Sequence, residues 1–132
     1  MRTRDVDIHK AVDYLKRAEE CKNAMYRSCD EREWNASVIN AVHCAIAAAD
    51  AFCIWKLGIR HAGERHEDAV RLFSQTAPED DSIRKASKHL MELLNIKSES
   101  EYGENLMKEK NAILATKHAE RLFDFVQNKI LK

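Results

Sequence analysis

At 132 residues the chain has the length of one domain, spanning residues 1–132, with room for a core that needs no staples. Its 22 basic and 22 acidic residues cancel, which excludes attraction to nucleic acid or membrane by an overall field but leaves room for a local basic site. With 33% charged and 45% hydrophobic residues, the composition is that of an ordinary globule.

The opening stretch, MRTRDVDIHK, lacks the apolar core of a signal peptide, and Cys21, Cys29, Cys44 and Cys53 show no Cys-x-x-Cys spacing. Both features point to reduced thiols in a cytoplasmic protein. No apolar run approaches the roughly 18 to 20 residues of a membrane span, so no membrane partner is expected. Three glycines and one proline suggest helices, because both residues weaken helix interiors.

The first predicted helix covers about 5 to 27. Ala11, Tyr14, Ala18, Cys21 and Met25 recur at steps of three and four, with charges between them. Ser28 with Glu31 reads as a capping box for the next helix, with Asp30 as a rival N-cap. That second helix, NASVINAVHCAIAAADAFCIWKLG, carries two stripes. One runs Val38, Ala41, Ala45, Ala48, Phe52, Trp55, and the other runs Ile39, Val42, Ile46, Ala49, Cys53. A helix apolar on two faces must be buried on two faces, so this one is central, with Val42, Ile46 and Phe52 in the core. Gly58 ends it.

Two shorter helices follow, near 66 to 75 and 82 to 95. Pro78 stops one, and Asp80, Asp81 or Ser82 caps the other. Ile83, Ala86, Leu90, Leu93 and Leu94 form the apolar stripe of the second, and NIKSESEYGE reads as the next break. A last helix from about 104 to 130 bears Leu106, Ile113, Thr116 and Phe123 beside Ala112, Ala115, Ala119, Leu122 and Val126. No strand-like alternation is visible. The fold class is therefore all-α, an antiparallel four-helix bundle with one extra short helix.

The stretch KLGIRHAGERHEDAV looks most like chemistry. His61 and His66 lie five apart, not at the i, i+4 spacing that aims two imidazoles at one ion, and no Cys pair is near. No metal and no cofactor are expected. Gly58 and Gly63 supply turn geometry, and Glu67-Asp68 suits a helix N-terminus, so GIRHAGERHEDA reads as a helix-to-helix turn that can still contact RNA or a ligand through Arg60 and His66. Asp50 stands apart from the other carboxylates. It interrupts AIAAADAFCIW, where an unpaired charge is costly, so a cationic or tyrosyl partner from a neighbouring helix is expected.

The run AADAFCIWKLG, a histidine ahead of a short helix, and LLNIKSESEYGENLMKEKNAILATKHAERLFDFV together resemble the HEPN domain family over nearly the whole chain. The resemblance implies metal-independent endoribonucleases, often toxins or defence effectors, paired with a nucleotidyltransferase or antitoxin, with two protomers sharing a cleft. It also implies an Arg-x(4–6)-His motif leading into the last helix, where Arg holds phosphate and His moves a proton as the 2′-hydroxyl attacks. At that position this chain reads Lys97-Ser98-Glu99-Ser100-Glu101-Tyr102. Tyrosine, with an ordinary pKa of about 10, is a poor base at neutral pH, and lysine lacks the planar fork. Arg60 and His66 satisfy the spacing, but after the second helix.

Three readings stay open. One is an RNA-associated or protein-interaction module without the family's standard site. Another is an active nuclease with an atypical site, built on Lys97 and Tyr102 or on Arg60, Arg65 and His66. The third is a nucleotide or small-ligand binder. A homodimer is implied by the resemblance, and Tyr26, Trp34, Trp55 and Phe73, at or near helix ends, allow it.

Overall fold

The computed structural model describes the chain over residues 1–132 except for the side chains of residues 101 and 102. Its elements are β1 (Thr3–Asp5), a 3-10 turn (Ile8–Lys10), α1 (Ala11–Asp30), α2 (Trp34–Leu57), β2 (Ile59–His61), α3 (His66–Gln75), α4 (Asp81–Tyr102) and α5 (Glu109–Ile130). The protein is an all-α bundle of α1, α2, α4 and α5 with the shorter α3 at one end. One small antiparallel ribbon, β1 with β2, is added to it.

α2 is the core. Val38, Ala41, Val42, Cys44, Ala45, Ala48, Ala51, Phe52 and Ile54 are all buried, and α1, α4 and α5 each pack against it. Alanine at so many interior positions removes the bulk that keeps helix axes apart. At the C-terminal end of α2, Phe52 meets Phe73, Phe125 and Trp55 at ring-centroid separations of 5.4, 5.5 and 5.7 Å. α2 is also long and apolar enough to cross a membrane, by length and composition, contrary to the expectation that no such run exists; 72% of its most apolar window is buried inside the bundle.

Several boundaries move. The ribbon is the element that periodicity missed, since strands of three residues are too short to show alternation. α1 starts at Ala11, not near residue 5, because residues 3–5 pair in the ribbon. Ser28 and Asp30 do not cap α2. Both belong to the last turn of α1, where the Ser28 carbonyl accepts the Glu33 N–H, and Glu33 holds the N-cap position without a side-chain cap bond. Of the three candidates ahead of α4 it is Asp80 that caps, accepting from the Ser82 N–H at 2.8 Å.

α4 runs seven residues past the expected break at 95. NIKSESEY holds neither Gly nor Pro, and the Ser98 and Ser100 hydroxyls bond back to the carbonyls of Leu94 and Lys97, so nothing local stops the helix. Termination falls at Gly103, whose N–H reaches the Glu99 carbonyl at a position where an added Cβ would collide with that same oxygen. The chain then crosses at Met107, which is buried and tied by its N–H to Asn35 Oδ1 at 3.0 Å. α5 starts five residues later than expected, where Asn111 Oδ1 accepts the Lys108 N–H at 2.9 Å.

The face of α5 that packs is Ala112, Ala115, Ala119, Leu122 and Val126, together with Phe123. Leu106 and Ile113, from the rival stripe, stay exposed. Ile46, expected in the core, is only half-buried, because the surface beside it opens into a cleft. Of the four end-of-helix aromatics, Phe73 is fully buried, while Tyr26 and Trp34 pack against the core and Tyr26 donates its hydroxyl proton to Glu120. Trp55 remains at the surface.

Truncating the residue at the centre of the aromatic cluster tests this core. Phe52→Ala should cost about 3 to 5 kcal/mol in urea unfolding, with the helical circular dichroism spectrum retained. An unchanged unfolding midpoint would contradict the burial of that ring.

Candidate functional site

Gly58 closes α2 in the left-handed region, at φ 68°, with its N–H on the Ile54 carbonyl. A residue with a side chain is strained there, so glycine allows the chain to reverse sharply. The reversal sends residues 59–61 into β2, and β1 fixes them through the register Thr3↔His61, Arg4↔Arg60 and Asp5↔Ile59. GIRHAGERHEDA is therefore not a plain helix-to-helix turn. It is a strand, a short loop and the first turn of α3, where Arg65 is the N-cap and His66 the first helical residue.

This path leaves a cleft of about 890 Å³ between the C-terminal half of α2, the ribbon, the start of α3 and α4. Ile46, Leu90 and Leu94 give it an apolar side. Asp50, Arg60, His61, Arg65, His66 and Lys97 give it charge and hydrogen-bonding capacity. The two junctions that look like rivals in the sequence, one holding Lys97 and the other Arg60, Arg65 and His66, thus open onto the same space. Tyr102, the other residue at the family's motif position, lies outside the described residues.

Among the acids lining the cleft, Asp50 is the one with a perturbed titration. Burial pushes its carboxyl up to about 7, and the nearby charges of Arg60 and Arg17 pull against that shift without cancelling it. The expected partner is thus only partly realised. Among the described residues no cation lies within ion-pair distance of Asp50, and the cation with the greatest influence comes from the ribbon, not from a helix. Arg60 Nη1 donates to the His61 carbonyl at 3.1 Å, while Arg60 Nε and His61 Nε2 are buried with no hydrogen-bond partner among the described residues. Burial pushes the His61 pKa down, with Asp68 working in the opposite direction. Buried polar atoms without partners are uncommon, and an oxyanion in the cleft would supply acceptors to Arg60.

The arrangement can do two things chemically. Two guanidiniums and an ammonium can hold a phosphate, the guanidiniums bidentately and the ammonium as a point charge. A carboxyl titrating near neutrality in a cleft that also holds two imidazoles can exchange protons at physiological pH.

A second pair lies outside the cleft and has no signal in the sequence. His89 of α4 and His118 of α5 face each other with Nδ1 atoms 2.8 Å apart, so one ring donates and the other accepts. Burial pushes both pKa values down, and for His89 the His118 and Arg121 charges add to it. No spacing within one helix could have revealed a pair set by the register of two. Among the described residues no group of three or more His, Cys, Asp or Glu side chains is placed to hold a metal ion.

Residues 11–129 match the family model of the HEPN domain. No curated protein matches the chain.

The Asp50 carboxyl makes the site visible in solution. Its native pKa of about 7 exceeds the unfolded value of about 3.9, so between these limits the native state binds more protons, and stability falls as pH rises before levelling above 7. Asp50→Asn removes that dependence. The variant should match the parent near pH 4 and exceed it at pH 8 in urea unfolding. Parallel pH profiles would show that Asp50 titrates normally.

Proposed function

The chain belongs to the HEPN family, and on that footing we propose that it is an RNA-associated HEPN module whose cleft holds a phosphodiester of single-stranded RNA without the family's standard Arg/His pair. The observation that supports this reading is the convergence of Arg60, Arg65, His66 and Lys97, from two distant parts of the sequence, on one cleft. Arg60 and Arg65 hold the phosphate oxygens through their planar forks, and Lys97 adds charge from α4. Leu90 and Leu94 give a base an apolar surface beside the phosphate. Residues 1–132 act together as one cytoplasmic unit, the ribbon included.

A second reading is favoured by one feature. Asp50 titrates near 7 in the same cleft as His66, which suits general acid–base work. In cleavage, one group would take the 2′-hydroxyl proton as that oxygen attacks phosphorus, and the other would return a proton to the departing 5′-oxygen. This is the atypical nuclease, with Arg60, Arg65 and Lys97 as phosphate holders.

One assay separates the readings. The purified protein is incubated with single-stranded RNA in chelator, and binding and cleavage are followed together. Binding without cleavage, weakened about tenfold or more by Lys97→Ala and by Arg60→Ala, is expected; a single charged hydrogen bond of roughly 1.5 to 3 kcal/mol corresponds to such a factor. Cleavage lost in His66→Ala and Asp50→Asn would establish the nuclease instead. RNA affinity indifferent to Lys97 and Arg60 would remove the cleft from the account.

We also propose a homodimer, supported by the family and by apolar side chains left at the surface, among them Trp55, Ile39, Ile113 and Leu114. Light scattering in dilute solution should return twice the chain mass. A clean monomer mass would dispose of this part.

A further inference from the structure

The N-terminal segment brings charge to the mouth of the cleft. Ala62 N–H donates to the Arg2 carbonyl at 3.0 Å, and Val6 N–H donates to the Gly58 carbonyl at 2.9 Å, on either side of the Arg4↔Arg60 pair. Hydrogen-bonded pairs alternate along an antiparallel ladder, so positions 2/62, 4/60 and 6/58 are the bonded ones. Residues two apart on a strand, and residues directly opposite across it, share a face. One face of the ribbon therefore carries Arg2, Arg4 and Arg60.

That face meets the cleft at two points. Arg60 lines it, and a Cβ added to Gly63, another lining residue, would lie 3.5 Å from the Arg2 Cβ. Glu64 and Glu67 also line the cleft on either side of Arg65, which leaves the ribbon side the more positive. Arg2 and Arg4 are exposed and make no ion pair among the described residues, while Asp5, next to Arg4 in β1, is paired with Ile59 on the other face and Asp7 accepts the His9 N–H. Like charges directly opposite across strands destabilise a ribbon, and Arg4 stands directly opposite Arg60. An anion between them turns that repulsion into attraction. Arg2 and Arg4 precede the stretch that matches the family.

We propose that Arg2 and Arg4 extend the cleft into a track for successive phosphodiesters of a single RNA strand. Arg60 takes the phosphate inside the cleft, and Arg4 and Arg2 take those that follow it over the rim. The inference rests on the RNA reading above and deepens it, because it requires a polynucleotide and not a mononucleotide. Residues two apart on a strand are about 6.8 Å apart, a stride that an extended nucleic-acid backbone can follow. Phosphate contacts position a strand without reading its sequence, so the track is indifferent to base identity.

The salt dependence of binding measures how many phosphates the protein neutralises. A labelled single-stranded oligonucleotide of about twelve nucleotides is titrated over a range of salt with the full chain and its variants, with uridine monophosphate as a second probe. Each phosphate left without its arginine should flatten the slope of log K against log salt by about 0.7, so Arg4→Ala should lower it by about 0.7 and the Arg2→Ala/Arg4→Ala double variant by about 1.4. Arg4→Lys should keep the parent slope, which separates loss of charge from damage to the ribbon. Uridine monophosphate should bind all of these alike. A double variant with the parent slope, in a preparation where Lys97→Ala still weakens RNA binding, overturns the track and leaves the RNA reading standing. No RNA binding by the parent protein overturns both.

Discussion

The structure depends on burying a helix that is apolar all the way round. α2 is buried around most of its circumference, so α1, α4 and α5 must close on it together, and its alanines let them do so. Alanines contribute little buried area each, so the large increments come from elsewhere. They come from the Phe52, Phe73 and Phe125 cluster near the C-terminal end of α2, which joins α2, α3 and α5. A helix clamped this firmly is a rigid base for whatever is attached to its end.

What is attached is the cleft, and its position follows from where the apolar coat fails. Ile39, His43, Ile46 and Asp50 lie along one line of α2 that no other helix fully covers. At Asp50 that line meets the ribbon returning from Gly58. The carboxyl is then too enclosed for full hydration and too distant from Arg60 for an ion pair, so its proton is held to near neutrality. Packing α2 and creating a titratable group at the cleft are the same event.

Legibility in the sequence tracked the range of the forces involved. The glycine stop of α2, a cap at Asp80, Asp81 or Ser82 and the apolar stripe of α4 rest on neighbours within a turn or two and are present in the fold, as are the two stripes of α2 apart from the exposed Ile39 and Trp55 and the half-buried Ile46. Asp50 stood out as a charge in an apolar helix, and the structure gives it the perturbed titration that such a position demands. The ribbon was illegible because three-residue strands more than fifty residues apart leave no periodic trace. The length of α4 was misread because serines and glutamates resemble a loop, whereas serine hydroxyls can fold back onto the helix that carries them. That error made the Lys97 region look like a separate junction from Arg60 to His66. Only the tertiary register places both on one cleft, as it also places His89 against His118.

A neutral chain can still bind a polyanion if its charges are sorted in space. At physiological ionic strength the screening length is about 8 Å, so acids on distant helix faces scarcely affect an oxyanion in the cleft. What counts there is local: Arg60, Arg65 and Lys97 against Glu64, Glu67 and Asp50. On the RNA reading, Asp50 is the group that decides the sign of that local sum. Charged, it opposes a phosphate; protonated, it leaves a positive surplus and becomes a hydrogen-bond donor to a phosphate oxygen. Burial already holds its proton near neutrality, and an approaching phosphate favours the protonated form further by the same like-charge logic that governs paired carboxylates. On that reading ligand binding and proton uptake are linked through one carboxyl on the most buried helix of the fold, so an acid in the cleft need not repel the phosphate bound there.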